Sequence, residues 1–466
     1  MKKIIKKAAF FLLWIGSGNV FSQPIGLDTL YVGGDRDHCI NILILSDGYT
    51  ASEQSKFTTD AKQLADYLLV KSPWKEYQNY FNVYGLRVVS QQSGAKHPRT
   101  ATDGDTNCQL LPISSPNNYF GSTFDNGGIH RAIYATKSST IMSATAAWFP
   151  DYDVRLILVN TTEYGGTGGD YITMTANRSS VEVCAHELGH TFANLADEYW
   201  SYPSEKPNMT RTSSSYSVRW KNWLNTNGVG IYQYGTEGAA AQWFRPHQNC
   251  LMRYLNREYC SVCTQAIIEK IHSLVTPIVG YLPQSPVKLL NDSVLFSLSL
   301  LKPIPNTLKI IWTLDDAVIS SNCSDTLTMS PHLEDGIYTL KATVEDTNTA
   351  LRVDYHANIH RYTAAWTLLK NRELAVVEMQ NQYAVHVYPN PANTLLNISI
   401  DLKKVDNLSL EILSTDGKIV QSIENERFTT SLHYKNTVDI SSLPAGVYLL
   451  NIRIGKAKDV LKFVKF

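Results

Sequence analysis

The chain has 466 residues, more than one hydrophobic core usually holds, so roughly two to four domains are expected. Hydrophobic residues make up 44% and charged residues 18%, a balance that excludes a disordered chain. Lys plus Arg equal Asp plus Glu at 42 each, so no global charge draws the protein to nucleic acid or to an anionic membrane surface.

At the N-terminus, Lys2, Lys3, Lys6 and Lys7 precede a short apolar run over residues 8–15. Val20 and Ser22 place small residues before an expected cut at Gln23, so residues 1–22 read as a signal peptide. The run is too short to span a bilayer, and no later run reaches the roughly 18 apolar residues a spanning helix needs. The expected product is exported, with no integral membrane segment. Its seven cysteines (Cys39, Cys108, Cys184, Cys250, Cys260, Cys263 and Cys323) would then meet an oxidising compartment, with at least one unpaired. Cys260-x-x-Cys263 near Cys250 has the look of half a structural zinc site, but no second close pair completes it. Disulfide pairing is therefore the preferred expectation.

Residues 40–45 (INILIL) form a buried-strand run ending at the turn Asp47-Gly48. Thr50 and Glu53 make a capping box for a helix with Phe57, Ala61, Leu64 and Leu68 on one face. Residues 81–89 return to a strand, residues 91–130 are loop-rich, and 154–160 (VRLILVN) form another strand. Within the loops, Asp103, Asp105 and Asn107 are spaced like part of a calcium loop, but the following Gly and distal Glu are missing. The glycine run 165–169 lacks the Lys-Ser/Thr of a phosphate loop and the spacing of a dinucleotide fingerprint. It follows a strand, so an extended substrate has backbone to pair with there; the bland reading is a flexible loop. Ser179 and Glu182 repeat the capping-box pattern before the next helix.

That helix carries His186-Glu187-Leu188-Gly189-His190. Imidazoles at i and i+4 share one helical face, about 6 Å apart, and both nitrogens can reach one Zn²⁺ at about 2.1 Å. Glu187 lies beside them as a general base for water activation. A third ligand is needed. Asp197 on a continuing helix would lie about 10 Å further along the axis, so the helix must end first. Asn194 tolerates the left-handed conformation that ends helices. Asp197 is the preferred third ligand and Glu198 its rival.

The segment HELGHTFANLADEY (186–199) resembles the motif of IgA-peptidase-type zinc metallopeptidases, a metzincin-like family. The similarity continues in chain order through ILILSDGYTASEQ (42–54), FNVYGLRVVSQQSGAKHP (81–98), STFDNGG (122–128), EYGGTGG (163–169), WFRP (243–246) and NCLMR (249–253). The resemblance implies a two-His-plus-Asp zinc site with Glu187 as base. The segment 194–197 departs from the usual metzincin Gly and third His. Met252 fits the methionine turn beneath such a site, against the bland reading of a core Met. Tyr254 is a candidate for oxyanion stabilisation, and Arg245 for substrate or transition-state contact.

Past Pro277 the pattern changes to short β-like runs, including IIWTL (310–314) and GIYTLKATV (336–344), a small β-sandwich. Residues 366–382 read as a polar linker. VYPNPANTLLNI (387–398), TDGKIV (415–420) and ISSLPAGVYLLNI (440–452) resemble the C-terminal sorting domain of type IX secretion. The expected organisation is a signal peptide (1–22), an α/β (α+β) zincin-like catalytic domain with a mixed sheet and HExxH helix (23–276), an Ig-like β-sandwich (277–380) and a sorting domain (384–466).

The leading expectation is a secreted zinc endopeptidase, acting as a monomer on protein or glycoprotein substrates such as immunoglobulin A and exported by the type IX machinery. A surface adhesin or glycan-binding protein with an incompetent peptidase-like domain is the alternative. Glu187 between the histidines argues against it, since a purely structural site needs no base. A zinc amidase or deacetylase is a third reading, which a narrow pocket would favour.

Overall fold

The computed structural model describes residues 26–105, 111–199, 201–289, 292–321, 324–330, 332–370, 383–402, 405–415, 417–429, 432–455 and 457–466. The signal-peptide expectation, Asn107, Cys108 and Cys323 lie outside them. Two compact units emerge. One runs to Val287 and takes in Ser293–Met329 and Thr339–Thr367; the other is Leu368–Phe466 with Lys288–Asp292 and Ser330–Tyr338. Among the described residues no helix is long and apolar enough to cross a membrane.

The first unit is mixed α+β. Its centre is a six-stranded sheet of β1 (Gly26–Val32), β2 (Ile40–Asp47), β3 (Phe81–Arg87), β4 (Val154–Val159), β5 (Gly166–Thr167) and β6 (Ile172–Thr175), in the order β1-β3-β2-β4-β6-β5. The four inner strands run parallel, and β1 and β5 are antiparallel edges. All of β2 is buried, as a strand covered on both faces must be. Its alternating side chains divide two cores. Ile40, Ile42 and Ile44 pack with α1 (Gln54–Val70), while Leu43 and Leu45 pack with Ile141 and Ala144 of α2 (Ser138–Trp148). Phe57, Ala61, Leu64 and Leu68 form the buried face of α1, and Glu53 accepts the Thr50 N–H at 2.9 Å to close its cap.

The helix bearing the histidines, α3 (Ser180–Thr191), forms as expected, but Ser179 does not cap it with its side chain. Glu182 is drawn away by two stronger claims, the buried Lys71 ammonium at 3.2 Å and the Asn256 N–H at 3.1 Å. Asn177 Oδ1 accepts the Ser179 N–H at 2.8 Å. A further helix, α4 (Ser261–Leu274), packs into the core shared by α1 and α3.

The β-rich segment of this unit has two facing sheets. Phe296 and Trp312 both pack on Trp366, with ring centroids 5.3 and 5.6 Å away. Arg361–Lys370 is a strand, so the linker expected to begin at 366 does not begin there; residues 371–382 lie outside the described set. Trp366 is buried at its centre, which outweighs the polar character of the segment. This β-layer is bound to the α/β layer through buried polar groups: Tyr80 Oη donates to the Leu301 carbonyl at 2.7 Å, and Asp346 Oδ2 meets His272 Nε2 at 2.9 Å.

In the second unit, three-stranded and four-stranded antiparallel sheets enclose one apolar core that includes Leu396, Ile398, Leu410, Leu450 and Phe463.

Candidate active site

Helix α3 ends where the geometry requires. Asn194 takes a left-handed φ of 55°, its N–H returns to the His190 carbonyl at 3.0 Å and the Leu195 N–H to the Gly189 carbonyl at 3.0 Å, closing the helix with a left-handed cap. The chain then turns back and brings Asp197 over the histidines. Asp197 Oδ1 lies 3.0 Å from His186 Nε2 and 3.1 Å from His190 Nε2, and the two Nε2 atoms are 3.1 Å apart.

Each imidazole commits Nδ1 to a backbone carbonyl: His186 to Leu251 at 3.0 Å, His190 to Leu195 at 2.8 Å. With Nδ1–H donating, each Nε2 keeps its lone pair for a cation. Ligands about 2.1 Å from a tetrahedral ion stand about 3.4 Å apart, so three donors with edges near 3 Å fit one metal ion with little adjustment. Burial opposes ionisation of Asp197, but its close approach to His186 and His190 outweighs that and holds its carboxyl far below the usual range.

Glu187 shares a cleft of about 440 Å³ with His186, Arg131, Tyr164, Gly166, Tyr199 and Tyr254. Burial raises its carboxyl pKa, against the pull of His186 and His190, and Gly168 lies against it, where a Cβ would stand 2.2 Å from Oε2. Gly166 belongs to edge strand β5, so the glycine run is not a free loop: an exposed strand edge borders the cleft.

Met252 is fully buried, and a Cβ on Gly189 would stand 2.5 Å from its sulfur. The glycine of the motif thus admits Met252 beneath the helix. Tyr254 lines the cleft and is about half exposed. Arg245 is not brought to the cleft: it is buried, with Nη1 donating to the Tyr234 carbonyl at 2.8 Å. Glu198 points away from the histidines, into the interior, where Asn208 Nδ2 bonds it at 3.0 Å. Asp103 serves as a turn acceptor for the N–H groups of His130 and Asp105.

The expected disulfides are absent among the described residues. Cys184, Cys250, Cys260 and Cys263 are free and buried, and Cys39 is buried.

Sequence reasoning missed three residues that line the cleft. Tyr199 stacks on His186, with centroids 6.1 Å apart. Burial and the Asp197 charge raise its pKa. Its place two residues after Asp197 was a usable signal. Arg131 lies in a loop without a motif, and Tyr164 stands in EYGGTGG, where only the glycines carry a pattern.

Residues 29–229 match the family model described as IgA Peptidase M64, and residues 386–465 match the secretion system C-terminal sorting domain. The first match suggests a metallopeptidase, and the sorting domain indicates export to the cell surface or medium through the type IX machinery. No curated protein matches the chain. Among solved structures, the fibronectin(III)-like modules of Clostridium thermocellum CbhA are 15% identical, covering 40% of this chain and 94% of theirs at a TM-score of 0.16. Dimeric latent PorU from Porphyromonas gingivalis is 14% identical, covering 40% of this chain and 20% of its own at 0.16. SGBP-B of the Bacteroides ovatus mixed-linkage glucan utilization locus is 13% identical, covering 40% and 47% at 0.19.

Proposed function

We propose that the chain is a zinc-dependent endopeptidase of extracellular proteins or glycoproteins, immunoglobulin A among them, with His186, His190 and Asp197 as metal ligands and Glu187 as general base. The observation that carries this reading is the convergence of three donor atoms at 3.0–3.1 Å from one another, with His186 of that set and the half-buried Glu187 carboxylate both lining one cleft. Two imidazoles and one carboxylate are a donor set of catalytic zinc sites, and three protein ligands leave a position for chemistry. Zinc there supplies a Lewis acid that polarises a scissile carbonyl and acidifies water.

The protein's own groups do the rest. Glu187 takes the proton of the attacking water and delivers it to the leaving amine, and its raised pKa brings it nearer the working pH. Gly168, having no Cβ, leaves the carboxylate room to stand in the cleft. Tyr199 and Tyr254 are the candidate donors to the developing oxyanion. An extended substrate can add alongside edge strand β5, whose antiparallel direction and position at the cleft support an endopeptidase over an amidase.

The test compares the purified protein with Glu187→Ala on a panel of secreted glycoproteins that includes immunoglobulin A, with and without a zinc chelator. Cleavage lost with both the substitution and the chelator is expected. Cleavage that survives either one, or bound zinc without any cleavage, would overturn the reading; the latter outcome favours a surface-binding protein.

A further inference from the structure

A second set of side chains converges outside the cleft. Cys250, Cys260 and Cys263 carry free, buried thiols, and Glu198 directs a fully buried carboxylate at them. One donor atom from each of the four lies within 4.8 Å of all the others. Cys250 Sγ and Cys263 Sγ are 3.7 Å apart, whereas a disulfide requires about 2.05 Å. On a tetrahedral zinc with Zn–S near 2.3 Å and Zn–O near 2.1 Å, ligand atoms stand about 3.8 Å (S···S) and about 3.6 Å (S···O) apart. The thiol pair matches the first edge, and Cys263 Sγ to Glu198 Oε1, at 3.4 Å, is close to the second.

The polar accounting points the same way. Glu198 is 0% exposed and Asn208 satisfies Oε1, but Oε2 has no hydrogen-bond partner. A carboxylate buried in this way is costly unless a cation meets it. The Cys260 N–H donates to Cys250 Sγ at 3.3 Å, the kind of amide-to-sulfur bond a thiolate accepts. Cys260 caps α4 and Cys263 lies in its first turn, so two of the four donors sit at the helix end that favours negative charge.

We propose that Glu198, Cys250, Cys260 and Cys263 bind a structural zinc ion. Four buried protein ligands leave no position for substrate, which separates this site from the cleft. Sulfur-rich tetrahedral donors select zinc over calcium or magnesium. The ion holds two segments that shape the cleft. Glu198 directly follows Asp197, and Cys250 stands two residues before Met252; the Glu198 N–H already donates to the Met252 carbonyl at 2.7 Å. Zinc at this point ties both segments to α4 and so fixes Asp197 and Met252 without touching substrate. The site is independent of the catalytic reading, because none of its four ligands lines the cleft.

The test is metal counting on the full exported chain by elemental mass spectrometry, in the wild type, in His186→Ala/His190→Ala, and in that background with Cys260→Ser. Two, one and no zinc equivalents are expected. Cobalt exchanged into the double variant should show thiolate-to-cobalt charge-transfer absorption, and Cys260→Ser should abolish it. Should Cys260→Ser fail to fold, Glu198→Gln preserves the shape and is expected to weaken zinc at least about tenfold in chelator competition. A double variant with no metal, no charge-transfer band and three thiols open to alkylation would overturn the proposal. So would a disulfide between any two of the three cysteines in peptide mapping. Failure of the catalytic site alone reads differently: wild type and double variant would then hold equal zinc.

Discussion

Gly168 is the position where a single methyl group tests the general base without touching it. A Cβ there would stand 2.2 Å from Glu187 Oε2 and 3.2 Å from Cδ, where ordinary contact begins near 3.4 Å. The Glu187 carboxylate must therefore retreat by about 1.2 Å. Gly168 does not use the left-handed conformation, so alanine adds no backbone strain and the effect is steric. A displacement of about 1 Å at a reacting group costs on the order of 100-fold in rate. Gly168→Ala is thus expected to lower kcat/KM about 100-fold with bound metal unchanged, because His186, His190 and Asp197 are not in its path. The assay is hydrolysis of a peptide spanning the site identified on the glycoprotein panel, with Glu187→Gln as the reference for a lost base. Activity within about twofold of wild type, with normal metal content, would refute the placement of Glu187 as the base held by this loop.

Three further outcomes are expected. Tyr199→Phe should lower kcat by about 10-fold or more and Tyr254→Phe by less, measured at constant metal content, because the Tyr199 ring stacks on His186, although both tyrosines are about half exposed. Asn194→Val should destabilise the protein by about 1–2 kcal/mol in urea unfolding, since a β-branched residue is strained at φ 55°. Burial would raise the Asp346 carboxyl, but hydrogen bonds from His272, Thr307 and Tyr77 bring it down to about 2. A depressed folded-state pKa gives stability present above the unfolded value near 4 and lost as pH falls towards 2, so Asp346→Asn should cost about 2 kcal/mol at pH 7 and progressively less below pH 4.

What the sequence revealed was local or periodic. The all-apolar run of β2, the helical spacing of Phe57 to Leu68, and the helix stop at Asn194 each depend on neighbours within a few positions. What it concealed depended on distant partners. The Ser179–Glu182 box has the right spacing, yet Lys71 and Asn256 compete for Glu182 from far along the chain. Arg245 has the composition of a substrate contact, but a carbonyl from Tyr234 and its own burial place it inside. The cysteines were hardest. Pairing was the natural expectation in an exported protein, and the group that meets Cys263 at 3.4 Å is a carboxylate from the segment after α3, not a fourth cysteine.

In the sequence Glu198 competes with Asp197, as though one metal had to choose between them. The helix stop at Asn194 releases the chain into an irregular segment, in which the consecutive residues Asp197 and Glu198 direct their side chains to different partners. Asp197 is directed at the imidazoles and Glu198 at the thiols. The choice between the two acids is thereby a consequence of where the helix ends. Gly189 completes the arrangement from the other side: only a residue without a Cβ lets Met252 lie against α3, and Met252 in turn offers its carbonyl to the Glu198 N–H. A Gly189→Ala chain would have to push Met252 outward, and the turn carrying Cys250 would move with it. The five-residue motif therefore specifies more than two ligands and a base, because its glycine sets the position of the segment on which the second acid rests.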